Sequence, residues 1–433
     1  MGFDAYAYLQ QKTWTDMKLG LERIEALLDS LGRPDRVYDV VHIAGTNGKG
    51  STSAFIASIL QEAGYTVGLF TSPFIVDFNE RIRVNGENIS DEDIVEVTLQ
   101  VKEIADNIKD APSSFEVLTA VALQYFAQKH CDVVVLETGL GGRFDATNAT
   151  TALISAITPI AFDHMEILGN TLADIAAEKA GIIKQNVPVV VYPQEREVWD
   201  VIQSKALSLN APVISPDFSE LSISRRDLSL SLDYKGIHAA LPLVGSYQPY
   251  NACMAIEIVR ALNNFGYHIA NEHIVSGLEH TRWQGRFQVV CKNPLIVVDG
   301  GHNQQGAREL LRSLQDIFVN KPLHIVVGVL ADKDWKDMMD IVMPHAKSAA
   351  CIEVPFAQRA LPAKDLALYI HEKHHISAQA YGSYKEALQA SSAYATFDNG
   401  VVCCFGSLYS LGEIFSTLRQ LGLYDESLME RDA

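Results

Sequence analysis

Cysteine is scarce in this sequence, and the few cysteines are not spaced as a metal or redox motif would require. No Cys-x-x-Cys pattern occurs. Zinc ribbons and dithiol redox proteins depend on such spacing, so its absence argues against both classes. Most of the thiols lie in apolar runs, and we expect buried free cysteines that pack as small apolar side chains. They are Cys131, Cys253, Cys291, Cys351, Cys403 and Cys404.

Positive charge and long apolar runs are also in short supply. The 35 lysines and arginines are outnumbered by 53 acidic residues, which gives a formal net charge of −18. Nucleic acids and anionic membranes bind basic surfaces, so we expect neither as a partner. No stretch offers about 20 uninterrupted apolar residues, and the first residues lack a basic segment followed by an apolar one. We expect a cytoplasmic protein that meets an anionic substrate with local positive charge.

The sequence does contain a glycine-rich turn between a β-rich apolar run, residues 38–44, and a helix-like run that starts at Ser53. Glycines let the backbone curl so that successive N–H groups converge on a phosphate at a helix N-terminus. The lysine supplies a cation, and a hydroxyl after it is a candidate magnesium ligand. The turn predicts a nucleoside triphosphate site, against the alternative of a plain connecting turn. Its residues are Gly45, Thr46, Asn47, Gly48, Lys49, Gly50, Ser51 and Thr52.

Three polar side chains follow predicted parallel strands elsewhere in the first half of the chain. They are Ser72, Glu137 and His164. Ligands bind at the carboxyl ends of strands in open α/β sheets, and an acid beside a phosphate loop is suited to hold magnesium. The alternatives are a local backbone contact for Ser72, a capping role for Glu137 and a hydrogen-bonded core histidine for His164.

Lys179 lies four residues after Ile175 in a predicted helix and therefore on the same inward face. Buried lysines are uncommon, so this one requires an explanation.

A length of 433 residues predicts two domains. We expect an α/β fold with a P-loop NTPase-like N-terminal domain, whose mostly parallel sheet has helices on both faces and a small β-hairpin subdomain at residues 222–244. Four strands then alternate with helices from Leu295 onward, which predicts a smaller Rossmann-like C-terminal α/β domain. The predicted bounds are 1–288 and 294–433. An amphipathic helix is predicted over residues 14–31.

Several strings resemble those of one enzyme family. Gly-Thr-Asn-Gly-Lys-Gly-Ser-Thr at 45–52 and Glu-Thr-Gly-Leu-Gly-Gly-Arg-Phe-Asp-Ala-Thr-Asn at 137–148 are similar to motifs of the folylpolyglutamate synthases, which belong to the Mur ligase superfamily and are often bifunctional with dihydrofolate synthase. Trp-Gln-Gly-Arg at 283–286 and Asp-Gly-Gly-His-Asn-Gln at 299–304 match with departures at Gln284, Gly301 and Gln304. The resemblance covers nearly the whole chain.

The resemblance implies site residues and cofactors. It implies ATP as co-substrate, two Mg²⁺ sites, room for a monovalent cation and a carbamylated Lys179. The implied magnesium ligands are Ser51, Ser72, Glu137, His164 and Lys179. Further nucleotide contacts are Asn251, Arg286 and Asp299, although a plain surface position is the alternative for Arg286. The implied catalytic residues are Lys49, Lys179, Arg286 and His302, with His302 and Ser407 at the glutamate site. The implied pterin pocket contains Leu19, Gly20, Leu21, Glu22, Arg23, Phe115, Glu116, Arg143 and Asp145.

The implied reaction is the ATP-dependent addition of L-glutamate to the carboxylate of a folate or dihydropteroate, through an acyl phosphate. We expect a monomer whose partners are small-molecule substrates alone. Two alternatives stay open. Another Mur-type ligase should carry a uridine-diphosphate domain ahead of the phosphate loop, and we expect none because only 44 residues precede Gly45. A nucleotide-binding switch would explain Lys49 but not Asp299 and His302.

Overall fold

The computed structural model describes residues 3–10, 20–355 and 358–428. The first sheet has eight strands in the order β4-β3-β2-β5-β1-β6-β7-β8, and β1, β2 and β5 to β8 run parallel. The strands β1 and β5 are almost wholly buried, as central parallel strands covered on both faces should be. The bounds are β1 Asp39–Ala44, β2 Val67–Phe70, β3 Ile82–Val84, β4 Glu87–Asn88, β5 Val133–Glu137, β6 Ile154–Ile157, β7 Val189–Val191 and β8 Val213–Ile214.

Ten helices accompany this sheet within the described part of the chain. They are α1 Ala5–Gln10, α2 Glu22–Ser30, α3 Lys49–Glu62, α4 Asp91–Ala105, α5 Ser114–Gln128, α6 Met165–Leu168, α7 Leu172–Lys179, α8 Arg196–Ser208, α9 Gln248–Leu262 and α10 Asn271–His280. The helix predicted over 14–31 is therefore present from Glu22 to Ser30, and residues 11–19 lie outside the described ones. The helix after the glycine-rich turn begins at Lys49, four residues before the predicted start, so the turn and helix share residues.

The predicted hairpin is confirmed, and a third strand extends it. The antiparallel strands β9 Leu221–Arg226, β10 Ser229–Tyr234 and β11 Ile237–Leu241 form a separate small sheet with β10 in the centre. Alternate residues of β10 and β11 are buried and join a core cluster with α3 and α9. The small sheet therefore covers α9, which carries residues of the candidate site.

The second half of the chain forms a six-stranded sheet in the order β12-β13-β17-β14-β15-β16, antiparallel only at β12. Two of its strands, β12 and β16, are additional to the four predicted, and the sheet begins at Gln288. This architecture confirms the predicted fold class. The bounds are β12 Gln288–Lys292, β13 Leu295–Val298, β14 Leu323–Val327, β15 Ser348–Cys351, β16 Ser377–Ala380, β17 Val401–Phe405, α11 Gln304–Ile317, α12 Trp335–Val342, α13 Ala363–His374, α14 Tyr384–Asp398 and α15 Leu411–Gln420.

Two further sequence expectations concern thiols and membranes. All six cysteines are free and buried, and burial raises the pKa of Cys131, Cys351 and Cys404 to about 12. Among the described residues, no helix combines the length and apolar character that crossing a membrane requires.

The contact of α10 with α3 generates a stability prediction. A methyl group on Gly277 would lie 2.6 Å from the backbone nitrogen of Ile59 and closer still to its Cα, and these backbone atoms cannot rotate away. Gly277→Ala gains about 1 kcal/mol of helix propensity but incurs about 1–3 kcal/mol or more of overpacking. We expect a lower melting temperature by thermal denaturation. Gly382→Ala, whose methyl group would have its nearest neighbour at 3.7 Å, is the matched control. A Gly277→Ala protein at least as stable as wild type would contradict the packing.

Candidate active site

The glycine-rich turn joins β1 to α3 and directs helical N–H groups into a cavity. Gly48 has φ +82°, which favours glycine, and a Cβ there would lie 2.6 Å from Asn251 Oδ1. Because α3 begins at Lys49, the N–H groups of its first turn lack helical partners and suit an anion. Lys49 Nζ donates to the carbonyl oxygens of Gly45 (3.1 Å) and Thr46 (3.3 Å). The turn is folded around its own lysine.

Oxygen donors lie beside this turn at the ends of two neighbouring strands. Glu137 ends β5, and its Oε2 accepts a hydrogen bond from the Ser72 N–H at 3.3 Å. Lys49 Nζ lies 3.8 Å from Glu137 Oε1, yet burial still raises the pKa of Glu137. Glu137 lines the same cavity as Ser51 and Ser72, and a buried carboxylate with hydroxyl groups supplies the oxygen donors that Mg²⁺ prefers. Among the described residues, no three His, Cys, Asp or Glu side chains cluster as a metal site.

A second charged cluster follows β6. Asp163 pairs with Lys333 from the second half of the chain, and its Oδ2 lies 3.4 Å from His302 Nε2. Burial raises the pKa of Asp163, but its hydrogen bond to His302 and the charge of Lys333 outweigh burial and lower it. Lys333 Nζ also lies 3.1 Å from His164 Nε2, and burial lowers the pKa of His164 to about 4. The cluster already accommodates a cation beside a neutral imidazole, which fits a metal position.

Lys179, at the end of α7, is buried as predicted. Its Nζ donates to the Gly45 carbonyl oxygen at 2.7 Å. Burial and then the charge of Lys49 lower the pKa of Lys179 to about 7. Both effects favour the neutral amine of Lys179 over its ammonium form.

The second sheet supplies the opposite wall. Asp299 follows β13 and accepts hydrogen bonds from Phe287 N (2.7 Å), Gly301 N (2.6 Å) and the Tyr247 hydroxyl (3.0 Å). Burial raises its pKa, although the charge of Arg286 acts in the opposite direction. Arg286 and His302 line the same cavity from this side, as does Ser407, which follows β17.

These groups surround one cavity of about 1070 Å³. Part of its wall, here called the aromatic slot, contains Phe74, Phe78 and Phe115 together with the buried carboxylates Glu116 and Asp145. An apolar slot with few polar groups suits a flat heterocycle. The predicted site residues in the lining are Gly45, Thr46, Asn47, Gly48, Lys49, Gly50, Ser51, Ser72, Phe115, Glu116, Glu137, Asp145, His164, Lys179, Asn251, Arg286, Asp299, His302 and Ser407.

Six other predicted residues are described by the structure but do not line the cavity. Arg23 lies behind the wall, where Nε and Nη2 each lie 3.2 Å from a Glu116 carboxylate oxygen. Arg143 is exposed, and its guanidinium contacts α7, with Nη1 3.5 Å from Glu178 Oε1 and Nη2 donating to the Ala177 carbonyl oxygen at 3.3 Å. Thr52 is buried within α3. Gly20, Leu21 and Glu22 complete the set, and Leu19 lies outside the described residues.

Other lining residues were not predicted. They include Asp163, Tyr247, Tyr250, Lys333 and Arg359. Asp163 could have been found, since it directly precedes His164 and follows a strand. Tyr247 and Lys333 become site residues only when the two sheets face each other, which local sequence patterns do not encode.

Comparison with known proteins agrees with this architecture. The model of the Mur ligase middle domain matches residues 43–259, and that of the Mur ligase glutamate ligase domain matches residues 285–408. The dihydrofolate synthase/folylpolyglutamate synthase of Bacillus subtilis is 37% identical, over 96% of this chain and 99% of the relative. The chain belongs to the folylpolyglutamate synthase/dihydrofolate synthase family.

Solved structures of folylpolyglutamate synthase family members share the fold. Mycobacterium tuberculosis folylpolyglutamate synthase, solved with ADP and AMPPCP, has a TM-score of 0.86 and 32% identity, covering 98% of this chain and all of that one. Escherichia coli FolC, solved with DHPP and ADP, has a TM-score of 0.85 and 28% identity, covering 96% and 97%. The predicted enzyme class, an ATP-dependent acid–amino-acid ligase, is confirmed by membership of this folylpolyglutamate synthase family.

The position of Arg23 generates a prediction that separates stability from substrate contact. Arg23 and Glu116 are both buried, and removing one partner of a buried ion pair destabilises a protein by about 3–5 kcal/mol. Arg23→Ala should therefore lower the free energy of unfolding by about 3 kcal/mol in urea denaturation. Arg196→Ala is the control, because that side chain is 94% exposed beside Asp200. Unchanged stability with a raised KM for the pterin substrate would instead assign Arg23 to the pocket.

Proposed function

We propose that this chain joins L-glutamate to the carboxylate of reduced folates at the expense of ATP, and that it also converts dihydropteroate and glutamate to dihydrofolate. The proposal is carried by one observation: the phosphate loop, two groups of candidate metal ligands and an aromatic slot open into the same cavity. We further propose that the first domain ends near residue 288 and that the second supplies the glutamate site.

In this proposal the first-turn N–H groups of α3 and Lys49 hold the ATP phosphates. Asn251 and Asp299 contact the rest of the nucleotide from the two sides of the cleft. Arg286 is the further cation suited to the transferred phosphoryl group, since guanidinium binds phosphate oxygens bidentately. Catalysis of phosphoryl transfer consists largely of positioning and charge neutralisation, which this set of residues provides.

Ser51, Ser72 and Glu137 would hold one Mg²⁺, and His164 with a carbamylated Lys179 would hold the second. Bound magnesium neutralises charge on the phosphate oxygens. This assignment is supported by the buried carboxylate of Glu137 and by the cation that Lys333 already supplies beside His164.

The chemistry then proceeds in two steps. A carboxylate oxygen of the folate attacks the γ-phosphorus of ATP. The bond from this phosphorus to the oxygen of the β-phosphate breaks, ADP departs, and the folate carboxylate has become an acyl phosphate. The amine of glutamate attacks the acyl carbon, phosphate departs with the bonding electrons, and the amine loses a proton as the amide forms. His302 and Ser407 bind the glutamate. The aromatic slot, with Phe115, Glu116 and Asp145, holds the pterin.

Release of ADP tests the function. With ATP, Mg²⁺ and L-glutamate, we expect ADP release with dihydropteroate and with tetrahydrofolate, and little without an acceptor. Lys49→Ala should lose turnover by roughly a hundredfold or more, because Lys49 supplies charge to the phosphates. Lys205→Ala, at an exposed position on α8, is the matched control. Acceptor-independent ADP release would favour a nucleotide switch, and turnover of one acceptor alone would limit the chain to one synthase activity.

Lys179 carries the second test. As an ammonium it would repel nearby magnesium, whereas its neutral amine can combine with carbon dioxide to give an anionic carbamate. A pKa of about 7 leaves enough neutral amine for this addition. We expect a carbamate signal in ¹³C NMR after incubation with ¹³C-bicarbonate and Mg²⁺, absent in Lys179→Ala and retained in Lys184→Ala. Full activity of enzyme stripped of carbon dioxide, with no such signal, would show that the free amine suffices.

A further inference from the structure

Tyr247 lies in the wall of the cavity at the start of α9, and its hydroxyl donates to Asp299 Oδ2 at 3.0 Å. The two residues belong to different halves of the chain. Asp299 follows β13 of the second sheet, whereas α9 packs in the core of the first. The bond therefore links the start of α9, in the first half of the chain, to the end of β13 in the second sheet.

The other two donors to Asp299 are backbone N–H groups from its own side of the cleft. Phe287 N binds Oδ2 at 2.7 Å and Gly301 N binds Oδ1 at 2.6 Å. These bonds fix the position of the Asp299 carboxylate relative to the second sheet but not relative to the first half of the chain. The hydrogen bond from the Tyr247 hydroxyl provides that second constraint.

The next residue, Gln248, contacts the phosphate loop instead. Gln248 Nε2 donates to Ser51 Oγ at 3.3 Å, and Asn251 Nδ2 donates to Gln248 Oε1 at 3.0 Å. Asn251 in turn lies against Gly48. One helical turn thus contacts the phosphate loop through Gln248 and Asn251, and Asp299 through Tyr247.

The phenol is well suited to remain a donor. Burial raises the pKa of Tyr247 well above its usual range, and the nearby carboxylate of Asp299 raises it further. Its ring lies against Gly245, where an added Cβ would approach Tyr247 at 3.0 Å. Gly245 therefore leaves room for the ring that carries the hydroxyl, and a larger residue there would displace it.

We propose that Tyr247 is a positioning residue that holds Asp299 in register with the phosphate loop, so that both sheets engage one nucleotide. The inference rests on the proposed nucleotide role of Asp299. In this inference Tyr247 affects nucleotide affinity through Asp299 and need not contact the nucleotide itself. Hydrogen bonds to charged groups are strong enough that the loss of one should produce a measurable decrease in nucleotide affinity.

The experiment is a double-mutant cycle on ADP affinity, measured by isothermal titration calorimetry with Mg²⁺. Tyr247→Phe should weaken ADP binding by roughly tenfold. In an Asp299→Ala background the same change should have no further effect, because the hydroxyl then has no carboxylate to hold. Tyr267→Phe is the matched control, since its hydroxyl donates to Asp39 at 2.9 Å away from the cavity.

Three outcomes would overturn the inference. These are unchanged ADP affinity in Tyr247→Phe, a full additional loss in the Asp299→Ala background, or a fall in melting temperature much larger than that of Tyr267→Phe. In the last case the hydroxyl would be a folding element. Because the cycle measures binding without turnover, it is independent of the acceptor assays. Absent ligase activity with intact coupling would refute the proposed function and leave Tyr247 as a nucleotide-site positioning residue.

Discussion

The carbonyl oxygen of Gly45 accepts hydrogen bonds from the side-chain nitrogens of two lysines, Lys49 and Lys179. Two like charges this close, in a protein with a net charge of −18, are unfavourable unless an anion joins them. The phosphates of a nucleotide bound at the turn would be such an anion. The glycine-rich turn therefore concentrates basic side chains in a protein that is acidic overall. The neighbouring carboxylates offset part of their positive charge.

The remaining site residues depend on this turn for their arrangement. Glu137 and Asp163 follow strands that flank β1 on either side, so they approach the turn from two directions. The second sheet presents Asp299 and His302 from across the cleft. Neither sheet alone contains the phosphate loop together with the residues that face it.

Local sequence order explains which parts could be predicted. Residues at strand ends, such as Glu137 and Ser72, inherit their location from the topology of a parallel sheet, and Lys179 from helical periodicity. Arg23 and Arg143 are different. Both lie near the predicted pocket in the chain, but the direction of each side chain depends on a partner, Glu116 or Glu178, that spacing alone does not identify.

Contacts between the two sheets could not be predicted for the same reason. Lys333 meets Asp163 across 170 positions of sequence, and Tyr247 meets Asp299 across 52. The edge strands β12 and β16 were also missed. β16 is half exposed and has a weaker apolar pattern than the central strands, and β12 joins its sheet directly after the linker.

The burial of all six cysteines has a practical consequence for studying these contacts. Thiol reagents react with exposed thiolates, whereas all six native thiols are buried. The native chain should therefore react little with thiol-specific labels. Single cysteines introduced at exposed positions on either side of the cleft would carry spin or fluorescent labels without prior removal of the native ones, and would report the distance between the two sheets as nucleotide binds.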